Sequence, residues 1–381
     1  MATRTYVGVN NKAKKVKSIY VGVNGKARSV KAVYIGVNGK ARCCWRRPGL
    51  WKYTGSIANI SCEEGSSGGG AAHVGDYALI GGGGIYTKSL KMDVYNTSLT
   101  KSFAPDLGVG RYDIRGGSVR NYALFAGGTS NGNEVDAYNA SLSKVNVSKL
   151  SYARSGIVSA SVGNYLLFAG GYNYDTYKYI STVDAYNSSL TRTTASSLRI
   201  ARDGIAGASV GNYALFAGGY DAQTTFNTVD AYNSSLTRTA ASSLNEITDG
   251  QASTGIGNYA LFGGGSGKSS VVQTVYAYNS SLTKILAPNL SVGRLGISAI
   301  SISNIALFGG GAYLNATKDG IISSSVVDVY DSQLTKSLTN NLSIPRYSTL
   351  TVSVGKYALF CGGQDHDDKD YSNVDAYYLC E

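Results

Sequence analysis

Short apolar runs that end in glycine recur along most of the chain. The fullest is GNYALFAGG, Gly211 to Gly219, with near-copies starting at Tyr77, Tyr122, Tyr165, Tyr259, Ile305 and Tyr357. After a gap of variable length comes an alternating segment: MDVY at Met92, VDAY at Val135, Val183, Val229 and Val374, VYAY at Val275 and VDVY at Val327. A polar turn with a Leu-Thr or Leu-Ser pair follows, as in NSSLTR at Asn187 to Arg192 and Asn233 to Arg238. A stretch rich in small and β-branched residues, such as GIVSASVGN (Gly156 to Asn164), precedes each apolar run. Each period therefore predicts four short strands, here called A to D, and helical periodicity is missing throughout.

Strand B is apolar at every position, so both of its faces should be buried. Strand C alternates, with Val and Ala on one face and Asp and Tyr on the other. Seven such periods predict an all-β fold, a seven-bladed β-propeller. The paired glycines suit a place where strand B ends against neighbouring backbone. A diglycine after the second strand and a Tyr in the third resemble the Kelch repeat, over roughly residues 50 to 381. One departure is plain: where Kelch repeats carry a Trp in the fourth strand, this chain has Leu, as at Leu190, Leu236 and Leu282. The last repeat, VDAYYLCE from Val374, lacks a fourth strand, and the segment Leu50 to Ile60 has one to spare. An N-terminal strand is thus expected to close the ring, with Trp51 in the place of the missing Trp, and the propeller to span 49–381.

Residues 1–48 follow another rule. They hold three copies of a 14-residue unit, from Thr5, Ile19 and Val33. Asn24-Gly25 and Asn38-Gly39 sit between a YVGV-like strand and a basic strand, a strong hairpin signal, so three short β-hairpins are expected. The segment carries 12 Lys and Arg and no acid, while the rest of the chain has 23 basic and 24 acidic residues. The formal charge of +11 is therefore a property of the N terminus. Such a stripe fits either edge lysines that block unwanted strand pairing or contact with an anionic polymer; nucleic acid is the weaker expectation. Isolated hairpins are marginal in water, so an attachment or oligomerisation module is expected, using Lys12, Lys15, Lys26, Arg28, Lys40 and Arg42, with a homo-oligomer open. The VGVNGKAR units resemble segments of phage and prophage structural proteins of Gram-positive bacteria. That resemblance implies a tail or virion component made in a host cytoplasm, and no signal peptide or membrane span is read from the sequence.

Antiparallel blades put the uniform Gly-Asn and NSSL turns on one face, and the B–C loops and blade connections on the other. The second set varies: Tyr172 to Thr182, Tyr220 to Thr228, Ala312 to Ser325 and Gln364 to Asn373. A fixed scaffold with variable loops on one side is a binding face. Tyr172, Tyr174, Tyr177 and Tyr179 share one loop, with Tyr220 and Phe226 in the next blade's; these rings either meet a partner or pack the loops onto the rim. An arginine recurs before strand A, at Arg111, Arg154, Arg202, Arg294 and Arg346. Arg154 and Arg202 are candidate ligand contacts, although repetition also suits a scaffold role. The strand C aspartates are read as blade architecture. The loop Asp365 to Asp370 only loosely follows a calcium pattern.

Five cysteines, Cys43, Cys44, Cys62, Cys361 and Cys380, form no spaced framework, and with two histidines, His73 and His366, no metal or cofactor is expected. The His-containing copper site of Kelch-like oxidases and the Asp-box repeats of propeller sialidases are not found in the sequence. The expectation is a non-catalytic binding protein recognising a bacterial surface glycan or protein. An intracellular protein-interaction scaffold is the alternative; a carbohydrate-active enzyme would need an acid pair converging on the central depression.

Overall fold

The computed structural model describes residues 6–9, 12–15, 20–23, 26–29, 32–37, 40–46 and 51–379, apart from 62–67, 85–87, 130, 131, 269, 316, 318 and 319. The chain divides into two compact units, residues 1–54 with 377–381, and residues 55–376. In the N-terminal segment three antiparallel hairpins are formed: Tyr6–Val9 with Lys12–Lys15, Tyr20–Val23 with Lys26–Ser29, and Ala32–Val37 with Lys40–Arg46. Their registers are equivalent, since Val9, Val23 and Val37 face Lys12, Lys26 and Lys40 across the turn.

Seven four-stranded antiparallel sheets follow, the blades of a β-propeller. Blade 3 shows the plan: Val158–Val162 (A), Tyr165–Ala169 (B), Val183–Asn187 (C) and Arg192–Ala195 (D). Blade 7 takes Leu350–Val354, Tyr357–Cys361 and Val374–Leu379 from the end of the chain, and its fourth strand is Trp51–Ile57. Just past that strand, Ile60 N–H donates to Ser372 O (3.0 Å). The first and last segments of the propeller thus share one sheet, which removes the open edges that closure is expected to remove. Among the described residues no helix is long and apolar enough to cross a membrane.

The core lies between blades rather than within them, and this explains the apolar strand B. In blade 2, Leu124 packs with Ile157 and Phe168 of blade 3, while Ala123 and Phe125 turn the other way to Val74 and Leu79 of blade 1. Each strand B Phe meets the strand C Tyr of its own blade edge to face, at centroid distances of 5.6–6.0 Å in blades 2 to 6. The Tyr hydroxyl then crosses to the preceding connection: Tyr138 donates to Pro105 O (2.9 Å), Tyr186 to Ser148 O (2.9 Å) and Tyr330 to Pro288 O (2.8 Å). Strand C therefore departs from its alternating pattern, because its Asp and Tyr side is buried as well.

The C–D turns explain the recurrent Leu. Leu142, Leu190, Leu236, Leu282 and Leu334 all have φ near +60°, a conformation that costs an L residue roughly 1–2 kcal/mol. The preceding side chain holds the turn: Asn187 Oδ1 accepts from Ser189 N–H (2.9 Å) and Thr191 N–H (3.0 Å). Leu190 is buried against the seam with blade 2, and Leu334 against the seam with blade 5. Burial of a Leu side chain, about 1.5–3 kcal/mol, offsets that strain.

The A strands line a central channel. Their hydroxyls stitch blade to blade: Ser159 Oγ donates to Gly116 O (2.8 Å), Ser209 Oγ to Ser161 O (2.7 Å), Ser253 Oγ to Gly207 O (2.8 Å) and Thr351 Oγ1 to Ala299 O (2.9 Å). The channel holds a cavity at each end. A cavity of about 530 Å³ lies toward the A–B turns. One of about 280 Å³ lies toward the variable loops, lined by Arg115, Gln251, Ser298 and Thr349 among others.

Candidate binding face and channel mouth

The repeating arginines are structural. Arg154 and Arg202 are buried, as are Arg111, Arg294 and Arg346. Arg202 Nε donates to Gly218 O (2.7 Å), its guanidinium to Ile200 O (2.9 Å) and to Asp230 Oδ2 (3.0 Å). Arg154 meets Asp184 at 2.8 Å and Phe168 O at 3.2 Å. Their backbone carbonyls serve the previous blade: Gly128 N–H donates to Arg154 O (3.0 Å) and Gly171 N–H to Arg202 O (3.0 Å). Each arginine thus joins the diglycine of one blade to the strand C Asp of the next. The expectation that Arg154 and Arg202 touch ligand is corrected here, because both guanidiniums are sealed from solvent and each is paired with the strand C aspartate of its own blade.

The opposing carboxylate takes a second cation from strand D: Arg192 at 2.9 Å from Asp184, Arg238 at 3.1 Å from Asp230, Lys336 at 3.0 Å from Asp328. Burial pulls the pKa of these arginines down while the aspartates push it back up. Blade 5 changes both partners together. Thr248 stands in the arginine position and Tyr276 in the aspartate position, and Lys284 lies 5.6 Å over the Tyr276 ring. That paired exchange was visible in the sequence as two separate exceptions, one in each repeat element.

The residues that follow the arginine position lie with the variable loops, and reading the arginines alone overlooks them. Isolated backbone bridges tie each connection to its own B–C loop, as between Ser155 and Tyr172, Asp203 and Tyr220, and Asp249 and Ser266. Connections and variable loops therefore share one face. Along it, residues lean over the glycine of the neighbouring blade: a Cβ on Gly156 would lie 3.4 Å from Asp203, and a Cβ on Gly204 3.4 Å from Asp249. In blade 2 Asp113 occupies the equivalent of Gly156, and it keeps the same left-handed backbone (φ +59°). Its carboxylate accepts from Ser155 and from the Gly156 N–H.

Three carboxylates, Asp113, Asp203 and Asp249, so come together on this face, with Arg115, which also lines the smaller end of the channel, beside Asp113. Partial burial, then the charge of Asp113 and of Asp249, push Asp203 up to about 7. Asp249 and Asp113 are also raised, chiefly by burial. One oxygen of Asp203, Oδ1, is buried without a hydrogen-bond partner. Among the described residues no group of His, Cys, Asp or Glu is arranged to hold a metal ion.

The tyrosines form a strip along this face. Ring centroids are 4.9 Å apart between Tyr174 and Tyr172, 4.9 Å between Tyr172 and Tyr179, and 5.9 Å between Tyr179 and Tyr220 of the next blade. Tyr172 and Tyr179 face each other across a small two-stranded ribbon, Tyr172–Asn173 with Lys178–Tyr179. Tyr174 reaches Ser155 at one end of the strip, and Tyr220 reaches the Asp203 side chain at the other. Tyr174 is 54% exposed and Tyr220 36%. Tyr177, at the ribbon tip with φ +55°, is 78% exposed and lies outside these ring contacts. Phe226 is half-buried, and its backbone ties the loop to Gly219 and Thr248.

Elsewhere the candidates separate. Asp365 spends its carboxylate on the Tyr371 hydroxyl (2.7 Å) and on the amides of Asp367 (3.0 Å) and Lys369 (3.1 Å), which makes a closed turn. His366 faces Ser323, and burial lowers the pKa of His73 in the channel wall. Cys361 is buried, its thiol pushed up by desolvation. Lys12, Lys15, Lys26, Arg28, Lys40 and Arg42 lie on the second strands of the hairpins. Cys62 and Cys380 lie outside the described residues, as do the side chains of Cys43, Cys44 and Trp51.

No family model and no curated protein matches the chain. Among solved structures, one titled "Structure of YjhT" aligns over 84% of this chain and 96% of that one, with a TM-score of 0.55 and 13% identity. That likeness concerns the fold alone.

Proposed function

We propose that the chain is a non-catalytic binding protein of a phage or phage-like particle. In this reading the Kelch-like propeller recognises a glycan or protein of a bacterial surface through its variable-loop face, and the basic hairpins join it to a larger assembly. The observation that carries the reading is the exposed tyrosine strip across blades 3 and 4, set on a scaffold whose other face has uniform turns. Tyrosine gives large contact area at low entropic cost. The test is binding of the labelled full chain to intact Gram-positive cells, beside a variant with Tyr174 and Tyr177 changed to Ser. The reading expects binding that drops severalfold in a variant with unchanged melting; equal binding by both proteins would remove the strip from it.

The converging acids favour a second reading, a carbohydrate-active enzyme. It expects reducing ends to accumulate when the protein is incubated with a bound glycan, and to stop with Asp203→Asn.

A further inference from the structure

On the premise that this face binds ligand, the charge around the tyrosine strip narrows what it takes. The strip runs from Asp113 and Ser155 at Tyr174 to Asp203 at Tyr220. Asp113 has a cation, Arg115, beside it. Asp203 feels the charges of Asp113 and Asp249, both acidic. The neighbouring Arg154 and Arg202 contribute nothing outward, because each is buried on its own blade's aspartate. This face therefore sets three carboxylates against one cation, and one carboxylate oxygen, Asp203 Oδ1, lies buried without a partner. An anionic ligand would be repelled there.

In the loops of blades 3 and 4 every large exposed apolar side chain is a tyrosine, Tyr174, Tyr177 or Tyr220. The surface thus combines aromatic rings with acceptors and lacks the aliphatic anchors that a peptide side chain would seek. Flat rings pack against the C–H faces of a sugar, while carboxylates accept from its hydroxyls and pair with an ammonium. From this charge complementarity we infer that the face binds a glycan bearing free amino groups, with sugar rings on the Tyr174–Tyr172–Tyr179–Tyr220 strip and an ammonium at Asp203 and Asp249.

The experiment compares full-length protein with two hexamers, glucosamine and N-acetylglucosamine, by calorimetry at about pH 7, where a sugar amine is still partly charged and Asp203 is about half ionised; hexalysine is the third ligand. The inference expects the glucosamine hexamer to bind at least about tenfold more tightly than the acetylated one, a difference of about 1.4 kcal/mol. Asp203→Asn with Asp249→Asn should abolish that preference without lowering the melting temperature, and Tyr174→Ser should weaken both sugars. Equal affinity for the two sugars overturns the charge inference and leaves the aromatic face as the binding surface. Hexalysine binding as tightly as the amino sugar also overturns it, because charge alone would then be read. If no sugar binds, the amino-sugar inference falls, and cell binding by the Tyr174 and Tyr177 variant decides the broader reading separately.

Discussion

At the scale of residues, the molecule uses the same Arg–Asp pair for scaffold in five blades and does without it in two: blade 5 replaces both partners, and blade 1 keeps Asp93 with Lys101 as its cation. Breaking a buried pair by removing one partner leaves an uncompensated charge and costs about 3–5 kcal/mol. Arg202→Thr or Asp230→Tyr alone should therefore lower stability by that order, whereas the double variant copies blade 5 and should cost less than the sum of the two. Denaturant midpoints of the three variants check this; simple additivity would mean that the pair is not a unit. Asp203 makes the opposite prediction. Its folded pKa lies above its unfolded value, so the folded state holds the extra proton, and stability from this group is lost as pH rises from about 4 through about 7. Asp113, Asp249 and Tyr220 face it. Asp203→Asn should melt higher than the parent at pH 8, with the difference gone near pH 4. A lower melting temperature at pH 8 would show that this carboxylate stabilises the fold.

At the scale of elements, the ends of strand B decide where chain can pass. Gly219 has φ +99° and a Cβ there would sit 2.4 Å from Asp203 O, while Gly250 has φ +59° with open space around it. Gly219→Ala should cost several kcal/mol, and Gly250→Ala only the strain of the backbone, about 1–2 kcal/mol. Equal losses in thermal melts would mean that contact with the connection entering the same blade is not what selects glycine. The strands themselves were legible in the sequence, since YALF with a diglycine and VDAY with NSSL repeat often enough to reveal register and blade count. The tyrosine loop was legible too, because Tyr172 to Tyr179 breaks an otherwise regular repeat. The acids were not. Asp203 stands beside a conspicuous arginine, Asp113 two residues past another and Asp249 beside Thr248, and only the leaning of each blade over its neighbour's glycine brings carboxylates that are 46 or more positions apart onto one face. Their place on the connections of the variable-loop face made Arg154 and Arg202 ligand candidates, while their repetition pointed to the scaffold role that their burial shows.

For the whole molecule, closure through Trp51–Ile57 ties the propeller together, and its two faces differ in kind. One carries the repeated turns, and the other carries the tyrosines and acids beside the smaller end of the channel. The direct test places a bulky charge on each face of the full-length protein in turn, Tyr174→Arg with Tyr220→Arg on the loop face, and Ser189→Arg with Ser235→Arg on the turn face. Binding to intact Gram-positive cells is then measured for both folded variants. The account predicts loss with the first pair and parent-like binding with the second; loss with the turn-face pair alone would contradict it.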